Sequence, residues 1–408
     1  MNPNGQGWLR KFADHKAEFL RSHSNLGGEN ADLHFYQILQ PTGIIYGHPV
    51  QLVNSNYPRN SSWDNKGKMK VIFTEALIHG GYILGNFDGN LRKLITNFRK
   101  FYQIICPQIF EPKHRKGSDW DEFEYMIDRR LSITKFQDNN LISRYFHNSL
   151  LYTDAFFFGK WLSGSFEDHE SLKKTKEKFM ETVLKVIASA ACSNNILEEE
   201  EKALFDVMLH STYLSPELKN TAREFLSRKI ELEDIDFSFL KDWLMRRYIL
   251  ELAVLMISSD KVVDNWEHTF LKRLANQLNL NARELDEAIA AIQSFIIDHW
   301  TDLYYFQSST PLYYIKGALA KRVEFFLRKN KDRLYQEILE SKELIELLKK
   351  SRKEELTEVE KEKVRVQLKD ILKTVPTFII IALPFTFITL PLMIKLLPKS
   401  AFPTAFHD

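Results

Sequence analysis

The sequence predicts an all-α protein: a multi-helix soluble body followed by one proline-rich apolar segment. Three observations carry that reading. Apolar residues recur at helical spacing through most of the 408-residue chain. A helix–turn–helix pattern repeats once in its middle. Residues 374–394 hold no charged side chain, whereas everything before them is too polar to span a bilayer.

In chain order, Trp8–Leu20 is an amphipathic stretch closed by a Ser/Asn/Gly loop. Residues 40–68 are rich in Pro, Gly, Asn and Ser and read as an extended connection. Lys70–Leu84 and Leu91–Ile105 are helical runs joined by Gly85–Asn90. Residues 112–117 form a basic loop, and Ser118-Asp-Trp-Asp121 has the form of a helix N-cap with acid in the first turn. A further helical run reaches about Leu162, and the whole of 1–165 is expected to be a mostly helical N-terminal domain.

The repeat falls within 175–300, expected to be one module of two similar helical units. Val183–Met208 aligns with Leu250–Ala275, 67 positions on. Each has an apolar helix, a short polar turn, an aliphatic residue and then a glutamate, Glu200 or Glu267, opening the next helix. Glu217-Leu218 and Glu284-Leu285 recur at the same offset. These units resemble the TerB-like helical fold of tellurite-resistance proteins, whose first helix ends Ala-x-Ala-Asp-Gly-x-Ile-x-x-x-Glu. In the second unit Asp260 and Glu267 hold the acidic positions and Lys261 replaces the glycine. In the first, Ser193 and Asn194 stand where the aspartate and glycine would be. Asp260, Asp264 and Glu267 are candidate metal ligands, since hard cations take several oxygens. The competing reading gives the glutamates to helix N-termini and Asp260 to the turn.

Residues 301–373 are expected to be a helical connector. From Asp332 the composition shifts to Glu, Lys, Leu and Arg, with a discontinuous apolar stripe of Leu334, Ile338, Ile345, Leu348, Leu356, Val359, Leu368 and Leu372. Such a helix is a solvated connector, one arm of a hairpin or a juxtamembrane coiled coil. The basic cluster Lys349, Lys350, Arg352 and Lys353 is blunted by interspersed glutamates, so its attraction to anionic headgroups would be modest.

The segment 374–397 is expected to be transmembrane, with a short tail at 398–408. Lys373 precedes the uncharged run, and Lys395 and Lys399 follow it. Pro376, Pro384, Pro391 and Pro398 recur at close to two helical turns and so share one side of a helix. Each removes a hydrogen bond to a carbonyl four residues back. In hydrocarbon the freed carbonyls must find other partners. A kinked anchor, a re-entrant or oligomeric element lining a cation path, and a buried soluble hairpin all fit this pattern.

The order Leu-Lys-Asp-Ile-Leu-Lys-Thr-Val-Pro (368–376), Leu-Pro-Phe (383–385), Leu-Pro-Leu (390–392) and Ile-Lys-Leu-Leu-Pro-Lys (394–399) resembles the membrane segment of the leucine-zipper/EF-hand transmembrane (Letm-type) family. That family has bacterial relatives, one branch being described as biofilm-associated. The resemblance covers about the last fifty residues. It implies an inner-membrane location and a link to potassium or calcium exchange against protons. The ribosome-binding domain that follows this segment in the mitochondrial proteins has no counterpart before Asp408, and no EF-hand loop is present, so ribosome binding and calcium sensing are not expected.

Composition narrows the function classes. A net charge of +2 gives no nucleic-acid footprint. Two cysteines, Cys106 and Cys192, lie in apolar contexts and read as buried free thiols. The polar N-terminus lacks an export signal, which places the body in the cytoplasm of a bacterium. There is no glycine-rich phosphate loop, no His-Glu-x-x-His and no Cys-x-x-Cys, so neither catalysis nor a cofactor is expected. The expectation is a membrane-anchored scaffold that meets the lipid bilayer, a second copy of itself and an unidentified protein partner. A role in cation/proton homeostasis and a TerB-like metal or stress-response module are the alternatives.

Overall fold

The computed structural model describes residues 1–14, 30–53, 63–88, 90–107, 118–132, 147–192, 199–212, 214–257, 265–298, 312–351 and 354–373. Among these the chain is all-helical, with 16 α-helices and no strand. It divides into two compact units, the first running to Ala282 and the second beginning at Arg283.

The first unit contains eleven of the helices. They are α1 (Ala31–Leu39), α2 (Asn65–His79), α3 (Leu91–Ile105), α4 (Asp119–Leu131), α5 (Ser149–Leu162), α6 (His169–Ala191), α7 (Glu199–Ser211), α8 (Pro216–Arg223), α9 (Phe225–Arg228), α10 (Trp243–Ile257) and α11 (Asn265–Gln277). Helix starts are set by side chains that accept the otherwise unmet amides of the first turn. Asp64 accepts from Gly67 N, Asn90 from Lys93 N, Asp168 from Ser171 N and Ser215 from Leu218 N. Ser118 and Asp121 form a reciprocal capping box at α4, where their spacing predicts one.

Three helices in this unit are buried almost all round: α2 from Met69 to His79, α5 from Ser149 to Gly159, and α10 from Arg247 to Ile257. Helices of that kind stand at the centre of a large core. Phenylalanine fills much of the space. Phe98 stacks on Phe123 at 5.1 Å between ring centres and meets Phe158 at 4.1 Å. Near the end of α5, Lys160 reaches Asp32 of α1 at 2.8 Å and Asp242, just before α10, at 2.7 Å. The first residues of the chain are also anchored. Glu124 accepts from Gly7 N and Leu9 N at 2.9 and 2.7 Å, and Lys70 donates to the Pro3 carbonyl at 3.1 Å.

The closest packing joins α5 to a π-helical turn, Gly80–Leu84, that continues α2. Glycine makes this approach possible. A Cβ on Gly159 would run into the Gly80 carbonyl oxygen and lie 2.6 Å from Leu84 Cβ.

Both repeat segments fold as helix–turn–helix: α6 followed by α7, and α10 followed by α11. At the 67-position offset the end of the first helix and both ends of the second correspond to within one residue, although α6 has 23 residues and α10 has 15, and α6 packs on α10. Glu200 and Glu267 each lie in the first turn of the second helix.

The second unit contains α12 (Ala282–Asp298), α13 (Leu312–Lys329), α14 (Lys331–Glu340), α15 (Lys342–Lys350) and α16 (Glu358–Lys373). The charged region after Asp332 is therefore three short helices. The apolar stripe is discontinuous because Ser341 and residues 351–357 break it. Leu334, Ile338, Leu348, Leu356, Leu368 and Leu372 share one core with Leu319, Val323 and Phe326 of α13, while Val359 points to solvent. Surface ion pairs join α15 to α16, among them Lys363–Glu343 at 2.9 Å and Lys350–Glu360 at 2.7 Å. Among the described residues no helix is long and apolar enough to cross a membrane; the run 374–394 lies outside them.

The glycine contact makes a paired stability prediction. Gly159→Ala forces α5 off the π turn and is expected to cost about 1–3 kcal/mol or more. Gly317 lies within α13 with nothing within 4 Å of a Cβ. Gly317→Ala is expected to stabilise by about 0.5–1 kcal/mol. Chemical denaturation of both variants checks this; equal effects would contradict the packing.

Candidate functional site

In the middle of buried α5 stands a charged residue, Asp154. Its carboxylate is reached from three other helices. Arg130 Nε of α4 at 2.6 Å and the Tyr102 hydroxyl of α3 at 2.9 Å both donate to Oδ2, and Lys176 Nζ of α6 donates to Oδ1 at 2.7 Å. Arg130 is 2% exposed, Lys176 6% and Asp154 0%. Buried charges persist where they are paired and hydrogen-bonded.

The two partners of this ion cluster shift in the same direction for opposite reasons. Burial raises the Asp154 pKa, but Arg130 and Lys176 outweigh it and hold the carboxyl below its ordinary value. Burial lowers the Lys176 pKa, Asp154 offsets this in part, and the neighbouring Arg130 adds repulsion. Lys176 therefore ends below the usual lysine range. For Asp154 the nearby cations outweigh burial, whereas for Lys176 burial outweighs the single carboxylate it meets.

A cavity of about 210 Å³ opens beside the cluster. Asp154, Arg130 and Lys176 line it together with apolar walls from Ile105, Leu150, Met180 and Leu214. Lys173 and Glu177, one helical turn apart on α6, add one charge of each sign at its more exposed side. The Cys106 thiol, buried and unbridged, also lines it, whereas Cys192 is half-buried.

A second buried network lies between α1 and α10. Tyr36 and Arg247 Nε both donate to Glu251 Oε1, the latter at 2.7 Å, and Arg247 Nη2 lies 3.4 Å from the Tyr36 hydroxyl. These contacts join α1 to α10.

Of the candidate metal ligands, Glu267 is buried in the first turn of α11, and Asp260 and Asp264 lie outside the described residues. Among the described residues no cluster of three or more His, Cys, Asp or Glu is placed to hold a metal ion. Lys373 is the last residue of α16; Pro376, Pro384, Pro391, Pro398, Lys395 and Lys399 lie outside the described residues. The Asp154 cluster was not among the sequence candidates. Its signal in the sequence is a lone acid inside the apolar run Leu150-Leu-Tyr-Thr-Asp-Ala-Phe-Phe-Phe158. Nothing local in the sequence identifies Arg130 and Lys176 as its partners.

The chain matches no protein-family model, no curated protein and no solved structure. Fold and site together define an all-α protein, among its described residues, with a buried ion cluster on the wall of a small cavity.

Two substitutions at the cluster are expected to differ. Asp154→Asn removes the carboxylate that Tyr102, Arg130 and Lys176 share and is expected to cost about 3–5 kcal/mol. Lys176→Met keeps the Arg130–Asp154 pair and replaces a buried ammonium by an apolar chain, so its effect should stay within about 1 kcal/mol. Because the folded-state pKa of Asp154 is depressed, its contribution is present above its ordinary value and is lost as pH falls through the lower one. The gap between wild type and Asp154→Asn should therefore hold from pH 7 to 5 and shrink below about pH 4. Denaturation curves across that range check both points.

Proposed function

We propose that the chain is a membrane-tethered, non-enzymatic interaction protein of the Letm-related type, held at the inner membrane with its helical body in the cytoplasm. The observation that carries this is the uncharged run 374–394 between Lys373 and Lys395. About 20 apolar residues suffice to cross the hydrocarbon core. Helix α16 extends to Lys373, so the body's last helix leads directly into the run. Buried acids such as Asp154 and Glu124 are met by bases or by backbone amides, an arrangement suited to holding helices together. In this reading the proline-lined face of the segment serves self-association, because its freed carbonyls need partners within the bilayer.

Truncation after Lys373 tests the tether. The cut leaves Ile371 and Leu372, both buried in the second unit's core, in place. The full chain should float with phospholipid vesicles and resist alkaline extraction, and the 1–373 form should remain soluble. Full-length protein that is monodisperse without detergent would sink the proposal. For self-association, replacing Pro384 and Pro391 together by leucine restores the helical hydrogen bonds. The double variant should still insert but lose crosslinked dimers in vesicles; unchanged dimers would return the segment to a plain anchor.

A further inference from the structure

We propose that the exposed side of α13, with the start of α14, docks on an anionic phospholipid surface, its lysines against the headgroups and Phe325 at the acyl boundary. This deepens the membrane reading, and rests on it only for the choice of a lipid among anionic partners.

The first observation is how charge is distributed in the second unit. Residues 312–333 carry seven basic and two acidic side chains, whereas 334–373 carry ten of each, so within this stretch the excess falls on α13 and the first turn of α14. Two of the seven are paired: Arg322 with Asp286 of α12, and Arg328 with Glu324 at 2.6 Å. Among the described residues the other five, Lys316, Lys321, Lys329, Lys331 and Arg333, have no ion-pair partner, and all five are exposed. Asp332 is the one acid of the segment outside those pairs.

The second is where the aromatic rings stand. Lys321, Phe325 and Lys329 follow at four-residue spacing, on the side of α13 away from Leu319 and Val323, which are buried in the core. Phe325 is 52% exposed and Tyr313 63%, so both hold large rings in water beside the basic groups. The Lys329 ammonium lies over the Phe325 ring, 5.9 Å from its centre. A helix with basic residues and an outward aromatic ring on one side suits the boundary between headgroups and acyl chains, where tyrosine is also favoured.

The third is what this surface excludes. A second copy presenting the same side would set the unpaired cations against one another. An acidic protein surface would meet the charges but give Phe325 nothing apolar to enter. A bilayer boundary supplies anionic oxygens and, a little deeper, hydrocarbon. Helix α16 of the same unit ends at Lys373, next to the uncharged run 374–394, so tethering there would keep this unit at a bilayer.

The test adds full-length protein to vesicles of phosphatidylcholine, alone or mixed with phosphatidylglycerol, and then removes detergent. A water-soluble acetylating reagent labels the lysines. Mass spectrometry reads Lys316, Lys321, Lys329 and Lys331 relative to the exposed Lys174 of α6. With phosphatidylglycerol the relative labelling of the four should fall by about threefold or more, and high salt should restore it. Lys321→Glu combined with Lys329→Glu should abolish the protection of Lys316 and Lys331. Phe325→Ser alters no charge and should weaken the protection. Flotation with neutral vesicles reports the tether by itself. Protein that floats there but gains no protection from phosphatidylglycerol overturns the docking and leaves the tether standing; protection by phosphatidylglycerol without flotation on neutral vesicles supports the docking and sinks the tether. Equal protection in neutral vesicles, equal protection by a single-stranded RNA, or protection undiminished in Phe325→Ser would each overturn the proposal.

Discussion

A charge placed in the middle of a helix that is buried on every side has to be met from outside that helix, and in the first unit this is the task of Asp154. Its carboxylate draws Tyr102, Arg130 and Lys176 from α3, α4 and α6 to one point on α5. Apolar packing alone is non-directional and tolerates alternative arrangements of aromatic side chains. The carboxylate adds direction, since an uncompensated buried charge would cost several kcal/mol. Four helices whose sequences are separated by stretches of very different length are thereby held to one register. The same arrangement buries the Lys176 ammonium of α6, so the feature that orders the core also places a charged group on the wall of the neighbouring cavity.

The second unit is held together differently. Its helices α13–α16 share one aliphatic cluster with Phe326, and the ion pairs joining α15 to α16 lie at the surface, Glu287 of α12 being buried. Exposed ion pairs of this kind are each worth little. The stability of α14–α16 therefore rests on the burial of residues such as Leu334, Leu344 and Leu368, and the glutamates and lysines around them serve solubility and helix propensity. This is why the region reads in sequence as a charged connector: its apolar residues are spread over three helices and no one of them shows a long stripe.

Much of the helical architecture was legible. Periodicity located α2 and α3, Ser118 marked the start of α4, and the repeat offset anticipated the matching ends of α6 and α10. Each of these is a local signal. The ion cluster was not legible, because Arg130, Asp154 and Lys176 meet only through the packing of α4, α5 and α6. In the sequence Arg130 is one of two adjacent arginines, and Lys176 one of several lysines in a stretch that looks solvent-facing. The acids read as possible metal ligands were found by pattern; of these Glu267 is buried in the first turn of a helix.

The meeting of Gly80 and Gly159 has a consequence for how this protein can change over time. Two backbones in contact leave no slack for a side chain at either position, so a substitution at one is tolerated only if the helices separate. Asp154 lies five residues before Gly159, about 7.5 Å along the same helix, and cannot follow such a separation without losing its partners. Positions 80, 154 and 159 are thus bound into one epistatic set, although 74 residues of chain separate the first from the second. A descendant that altered any of them alone would lose the fit of the others, and drift at these sites would have to proceed by compensated steps.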